Sequence, residues 1–276
     1  MEFLELKIVP QKLGIIYNPK KREAKKIVST LESWSKENSK EVYFLDKEDI
    51  DIFSLDFVIA IGGDGTVLYA LQRVSPYNIP VLGINTGRLG FLTTLEAKDF
   101  EKIYKFIDKG EFFIERHPVL ELSFLPKNTY YYVFNEVVLL KAENTPLISF
   151  ELSFGEDRIT TSPADGLIIA SSSGSTAYAL SAGGPVIFPE IEVVEILPIC
   201  AHSLSSRPLI LSFDREIIFS LPRRSWQVEV WVDGKQVDLI GKNDKIIIKK
   251  APFYANLLFL KGWEFFKRLK KKLRWR

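Results

Sequence analysis

Apolar residues in the first third of the sequence alternate between a strand rhythm and a helix rhythm. Residues 13–17 (Leu-Gly-Ile-Ile-Tyr) read as a strand closed by an Asn18-Pro19 turn. Over 21–34 the apolar positions Ala24, Ile27, Val28 and Leu31 fall on one helical stripe. Residues 42–45 predict a short strand. Residues 57–61 (Phe-Val-Ile-Ala-Ile) are apolar without interruption, as a strand covered on both faces must be. A helix over 66–74, a strand over 81–84 and a helix over 98–108 continue the alternation. Strands separated by helices predict a doubly wound, Rossmann-like α/β sheet.

Beyond residue 110 the rhythm changes. Runs at 120–124, 130–140, 147–154, 166–170, 216–221, 227–232 and 245–249 all predict strands. Turn signals such as Pro126-Lys127-Asn128, Gly155-Glu156-Asp157 and Asp233-Gly234 separate several of them. Only the stretch after Gly174 reads briefly as helix. This pattern predicts an all-β second domain of two packed sheets, a β-sandwich. From Gly262 a basic amphipathic helix is expected, with Trp263, Phe266, Leu269 and Leu273 on one face. The expected division is 1–112 for the α/β domain, 113–250 for the β-sandwich, and 251–276 for a segment docking back on the first domain. Function is expected at the cleft between the domains.

Composition narrows the function classes. With 276 residues, 46% hydrophobic and 26% charged, the chain is no disordered, collagenous or coiled-coil sequence. Cys200 is the only cysteine and there are two histidines, so disulfide scaffolds and closed zinc sites are excluded. Any metal would be a hard cation held by carboxylates or by a substrate. The formal charge is +2, but residues 267–276 carry seven basic residues and no acidic one, so the rest of the chain is net acidic. A basic tail without a basic face argues against nucleic acid as a partner. No apolar run approaches the ~18–20 residues needed to cross a bilayer, and the first residues carry no secretory pattern. The expectation is a soluble cytoplasmic protein without a membrane partner.

Three segments carry candidate chemistry. Gly62-Gly63-Asp64-Gly65-Thr66 joins the fully apolar strand to the next helix, where glycines let backbone amides approach an anion. Asp64 gives the segment its interest: a carboxylate beside phosphates is repelled unless it holds a cation or accepts a proton from a hydroxyl. The same residues also fit a tight turn with Asp64 or Thr66 as helix cap. Asn135-Glu136 interrupts an apolar strand; an amide's paired donor and acceptor suit the edge of adenine, and Glu136, on the opposite face, suits a separate task such as neutralising a metal. An edge or bulge with both side chains solvated is the alternative. Third, Asp165 and the run Ser171 to Ser181 bring hydroxyls and amides after an apolar strand. These hydroxyls and amides suit ribose or phosphate, and Asp165 could bridge ribose hydroxyls; a solvated serine loop is the alternative.

Together these residues resemble the NAD kinase family. The resemblance runs through Gly62 to Thr66, Asn85-Thr86-Gly87-Arg88-Leu89-Gly90-Phe91-Leu92 and Asn135-Glu136. It continues through Asp165-Gly166, Gly174-Ser175-Thr176-Ala177-Tyr178 with Ser181-Ala182-Gly183-Gly184-Pro185, and residues 198–204, in the family's order. The glycine motif alone is shared with lipid kinases; the Gly-Ser-Thr-Ala-Tyr segment after Asn-Glu is more specific. The resemblance implies phosphoryl transfer to the 2′-hydroxyl of the adenosine ribose of NAD, giving NADP, with ATP as donor and Mg²⁺ or another divalent cation as cofactor. It implies Asp64 as the base, Gly62, Gly63, Gly65 and Thr66 near phosphates, and Asn135 and Glu136 on the adenine side and the metal–phosphate region. Asp165, Ser173, Thr176, Ala177, Tyr178, Ser181 and Gln236 follow as further dinucleotide contacts. The metal is held through phosphates, with Asp64 as the one side chain in question. A homo-oligomer, dimer or tetramer, is implied as well.

Two departures stand out. Ser171-Ser172-Ser173 replaces the Thr-Pro-Thr of most relatives, and without the proline the loop is expected to be less pre-set. Tyr69 stands where many bacterial relatives have Arg or His. His117 and His202 read as hydrogen-bonded structural histidines, and Cys200 as a small core residue. The competing readings are a lipid kinase of the diacylglycerol or sphingosine type, and a catalytically silent NAD sensor.

Overall fold

The computed structural model describes residues 4–7, 9–46, 50–88, 90–109, 111–161, 163–222, 227–260 and 265–275. Leu89 of the Asn85 to Leu92 motif, and Gly262 and Trp263 at the expected start of the last helix, lie outside the described residues. The chain forms two compact units, residues 1–116 with 253–276, and residues 117–252. It passes from one to the other inside the strand Glu111–Leu125 and returns inside Lys245–Phe259.

The first unit is a Rossmann-like α/β layer structure. Parallel strands lie in the order Glu41–Phe44, Lys12–Tyr17, Phe57–Gly62, Val81–Asn85, followed by the end of Lys245–Phe259, where Leu257 pairs Val81. Every residue of Phe57–Gly62 is buried, as its unbroken apolar run requires. Helix α1 (Arg22–Glu37) buries Ala24, Ile27, Val28 and Leu31 against Leu13, Ile15, Phe57, Ile59 and Ile61 on one face. Helix α2 (Asp64–Val74) buries Val67, Ala70, Leu71 and Val74. The region expected as one helix from 98 to 108 is a short 3₁₀ turn, Ala97–Asp99, followed by α3 (Lys102–Lys109). The chain runs from Lys12–Tyr17 outward to Glu41–Phe44, then returns to place Phe57–Gly62 on the other side. Strand order therefore reverses between Lys12–Tyr17 and Phe57–Gly62, which opens a crevice at their carboxyl ends.

The second unit is a sandwich of antiparallel strands. One six-stranded sheet runs in the order Leu209–Ser212, Val193–Ile199, Gly166–Ser171, Glu136–Lys141, Val228–Val232, Lys235–Ile240. Its inner residues, among them Val137, Leu139, Ile169, Val194 and Val230, share one core with Leu120, Leu122, Leu152, Phe219 and Ile248 of the other layer. Its outer face is covered by α4 (Tyr178–Ser181), whose Ala179 packs on Val138, Ile168, Ala170 and Leu197.

Several expectations are corrected in detail. Residues 130–140 are two strands, Thr129–Val133 and Glu136–Lys141, broken at Phe134 and Asn135. Cys200 is exposed at φ 49 in the turn after Val193–Ile199 instead of being a core residue. The last helix, α5 (Phe265–Leu273), buries Phe265, Arg268 and Leu269 while Phe266 is exposed. An arginine sits on that buried face because Glu115 receives its guanidinium at 2.7 and 2.9 Å and the Phe259 ring stacks under it at 4.0 Å. No helix among the described residues is long and apolar enough to cross a membrane.

Candidate active site

In the first unit, Gly63 is the N-cap of α2 in extended conformation, and no side chain caps the helix. The cap reading of Asp64 is thereby corrected, since its hydrogen bonds leave its own helix. Oδ2 accepts the Phe91 N–H at 2.9 Å and Oδ1 accepts the Leu92 N–H at 3.1 Å. Gly90 permits this arrangement, because a Cβ there would collide with the Asp64 carboxylate. Thr66 turns its side chain back over Gly62, whose carbonyl accepts the Thr86 N–H at 2.7 Å. Cβ atoms added at Gly63 or Gly65 would meet nothing, so both glycines border open space.

That space is a cavity of about 510 Å³ at the carboxyl ends of Lys12–Tyr17 and Phe57–Gly62, lined by Asn18, Lys21, Asp46, Gly63, Gly65 and Tyr69 among others. It occupies the crevice that the reversal of strand order creates. The Tyr69 hydroxyl donates to Asp46 Oδ1 at 3.0 Å, and Arg73 pairs with the same carboxylate at 3.0 Å. Lys21 and Asp46 were not singled out from sequence. Lys21 follows the Asn18-Pro19 turn at the end of a buried strand, a signal that could have found it; Asp46 has no such signal. The amides at the start of α2 and the Lys21 ammonium suit an anion.

In the second unit, one end of the six-stranded sheet gathers most of the remaining candidates. Asp233, at φ 47 in the turn after Val228–Val232, accepts the Phe134 N–H at 3.1 Å, the Asn135 N–H at 2.8 Å and the Glu136 N–H at 3.2 Å. A carboxylate thus replaces strand pairing where the run 130–140 breaks. The Asn135 carbonyl takes the Ser171 N–H at 2.8 Å and lies directly against the backbone of Gly174. None of the hydrogen bonds among the described residues engages the Asn135 amide group, and the residue is half-buried. Glu136 is buried on the same face as Ala170. Burial first, and the Asp233 carboxylate second, push its pKa up to about 7, with the neighbouring Tyr178 backbone amide acting weakly the other way.

The serine loop is packed. Ser171 Oγ donates to the Phe134 carbonyl at 2.6 Å, and Ser172 Oγ to the Pro189 carbonyl at 2.8 Å. Ser173 is hydrogen-bonded to Nδ1 of buried His117, and Ser175 Oγ donates to the Ser172 carbonyl at 2.7 Å. The hydroxyls of Ser171, Ser172 and Ser173 thus tie down the segment in which relatives carry a proline. Thr176 and Ala177 are half-buried beyond it, while Tyr178 and Ser181 are exposed on α4. Gln236 is exposed on the edge strand, paired across to Trp231 at this same end of the sheet.

Asp165 is not part of this group. It precedes Gly166–Ser171, and the serine loop follows that strand, so the two lie about 20 Å apart along it. Asp165 pairs with Lys141 at 2.7 Å instead. His202 is exposed nearby, with its backbone N–H on the Pro163 carbonyl. No cluster of three or more His, Cys, Asp or Glu residues suited to a metal occurs among the described residues.

Comparison with known proteins matches both parts of the chain. Residues 46–112 match the ATP-NAD kinase N-terminal domain, and residues 134–260 the ATP-NAD kinase C-terminal domain. The chain is 34% identical over 283 residues to an NAD kinase of Caldanaerobacter subterraneus, covering 95% of this chain and 99% of that protein. The crystal structure of an NAD kinase from Archaeoglobus fulgidus in complex with ATP is similar at 31% identity and a TM-score of 0.75, covering 96% of this chain and all of that one. Yeast NADH kinase complexed with NADH has a TM-score of 0.84 at 19% identity, covering 100% of this chain and 92% of that one; at that identity the likeness is one of fold.

Proposed function

The chain belongs to the NAD kinase family, and from that premise we propose that it phosphorylates the 2′-hydroxyl of the adenosine ribose of NAD with Asp64 as the base. It is a phosphotransferase that moves a phosphoryl group from ATP to NAD. The observation that carries the assignment of the base is the setting of Asp64. Two amides from Phe91 and Leu92 hold its carboxylate in one orientation, beside glycines that border open space. A carboxylate so held is positioned before substrate arrives, which is where most of the benefit in phosphoryl transfer arises.

In the proposed step Asp64 accepts the proton of the 2′-hydroxyl as that oxygen forms a bond to the terminal phosphorus. The bond from that phosphorus to the bridging oxygen breaks, and ADP leaves with its electron pair. Lys21 and the first amides of α2 would hold donor phosphates in the cavity they border. The absence of an acidic cluster among the described residues fits Mg²⁺, which takes one or two carboxylates and completes its shell with phosphate oxygens and water. Asp64 has lone pairs left beyond its two amide bonds and would be the protein ligand. Bound there, Mg²⁺ neutralises charge on the transferred group.

Asn135, with its amide group unengaged, would read the adenine edge. Glu136, Ser173, Thr176, Ala177, Tyr178, Ser181 and Gln236 would line the rest of the dinucleotide. Asp165, a strand length away, would contribute to the site of a second copy in the proposed homo-oligomer, a dimer or tetramer. The proposed location is the cytoplasm, with neither nucleic acid nor membrane as partner. Incubation with NAD, ATP and Mg²⁺ should yield NADP in a dehydrogenase-coupled assay. Asp64→Asn should keep NAD binding and lose about 10²–10⁴-fold in turnover; near-normal turnover would remove Asp64 from the role of base.

A further inference from the structure

Ala170, on the outer face of the six-stranded sheet, lies between two acids. It is paired with Glu136 on one side and with Glu195 on the other. Because Ile169, Val137 and Ile196 point into the sandwich core, Ala170, Glu136 and Glu195 point the other way, toward α4. Glu195 has no exposed surface, and neither of its carboxylate oxygens has a hydrogen-bond partner. Its Oε1 lies 2.6 Å from where a Cβ on Gly184 would sit, so only a glycine lets the chain close over this carboxyl.

Gly184 ends the turn that follows α4. Ala182 N–H bonds to the Tyr178 carbonyl at 3.1 Å, Gly183 N–H to the Leu180 carbonyl at 3.2 Å, and Gly184 N–H to the Ala179 carbonyl at 3.0 Å. The Tyr178 backbone amide at the start of the helix neighbours Glu136, while the Glu195 carboxyl packs under its end. A neutral carboxyl can remain in such a pocket, but an ionised one without cation or donor is costly and must reach water. Gly184 is the neighbour its Oε1 approaches, so movement of this turn would open the pocket.

We propose that Glu195 is a positioning residue for α4: protonated, it seats the Ala182-Gly183-Gly184 turn on the sheet and holds Tyr178 and Ser181 in place; ionised, it lifts that turn. The effect on catalysis rests on Tyr178 and Ser181 contacting the dinucleotide, as proposed above. The ionisable groups on the surrounding elements are Glu136 across Ala170, Tyr178 on α4, Glu190 and Glu192 ahead of its own strand, and Arg207 ahead of Leu209–Ser212. Arg207 is bonded to the Leu204 and Ser206 carbonyls, and Glu192 to Lys250. None of these groups bonds to Glu195. Burial alone raises its pKa to about 7, in keeping with that isolation.

The sign follows. An acid with a raised folded-state pKa favours the closed turn below its ordinary value of 4.5, and that preference is lost as pH rises toward about 7. The test is amide exchange of the full-length protein by mass spectrometry, read on peptides covering 178–186 and corrected for intrinsic exchange at each pH. In the wild type, protection there should fall by about tenfold per pH unit between 4.5 and 7 and then level off. In Glu195→Gln it should stay flat. KM for NAD should follow the same difference, with kcat unchanged. Glu136 titrates in the same range but is present in both proteins, so the difference isolates Glu195. Equal pH slopes in the two proteins overturn the proposal. A protection difference without a KM difference keeps the clasp and removes Tyr178 and Ser181 from the dinucleotide site. Should Glu195→Gln fail to fold, the ¹³C carboxyl titration of Glu195 in the wild type decides: a midpoint near 7 supports the proposal, one near 4.5 overturns it.

Discussion

The carboxylate of Asp64 occupies the space in which a side chain at Gly90 would begin. The two residues are 26 positions apart, yet the carboxylate leaves no room for a side chain at Gly90, and the amides that hold Asp64 follow directly after that glycine. Gly90→Ala should therefore displace the carboxylate while leaving the core intact. We expect kcat to fall by about 10²-fold with Tm little changed, as a small misplacement of a reacting group does. Unchanged kcat would mean that the carboxylate's orientation does not matter to the step.

Lys21 borders the cavity beside Gly63 and Gly65. Lys21→Met should raise KM for ATP by about tenfold or more, the loss of one charge-assisted contact, and leave KM for NAD near its wild-type value. Initial-rate kinetics with each substrate varied in turn separates the two; a shift confined to NAD would assign the cavity to the wrong substrate.

Asp233 satisfies three amides at once, those of Phe134, Asn135 and Glu136. Asp233→Ala should cost about 2–4 kcal/mol in urea unfolding, because those donors lose their acceptor and alanine dislikes a φ of 47. Asp233→Asn keeps an acceptor and tolerates that backbone, so its cost should be clearly smaller. Equal losses in the two variants would mean that the three bonds contribute nothing.

Glu136 is held near a pKa of 7 by burial and by Asp233. Its protonated form favours the folded state below the ordinary 4.5, and that contribution is lost as pH rises toward about 7. Wild type should lose up to about 3 kcal/mol over that interval relative to Glu136→Gln, read as the difference in urea midpoints at pH 5 and pH 8. Parallel curves for the two proteins would remove Glu136 as the source.

Ser172 sits at φ −57 after a residue in extended strand conformation, so its backbone already suits proline. Ser172→Pro exchanges the hydroxyl bond to the Pro189 carbonyl for a stiffer chain. KM for NAD should stay within about twofold and stability within about 1 kcal/mol. A large rise in KM would give the hydroxyl a part in binding.

The α/β unit was legible because its signals are local. A buried strand of five apolar residues followed by Gly62-Gly63-Asp64-Gly65-Thr66 announces both the parallel sheet and the cradle at its end. What escaped depends on distant partners. The break at Phe134 and Asn135 exists because Asp233 supplies a carboxylate from almost a hundred residues later. The burial of Arg268, which shifts the contact face of α5 away from Phe266, depends on Glu115 and Phe259. Asp165 looked adjacent to the serine loop because only six residues separate them, but a strand converts six residues into a span that no side chain bridges.

The long reach of these partnerships also constrains how the protein is made. Ile84 and Asn85 pair early with Leu95 and Glu96, but Val81 meets its outer partner only when Leu257 has been synthesised, and residues 134–136 wait for Asp233. On the ribosome both units are unfinished until almost the whole chain has emerged. A premature stop shortly before residue 253 would leave the amino-terminal end of Val81–Asn85 without its outer partner, an invitation to aggregation more than a partly working enzyme.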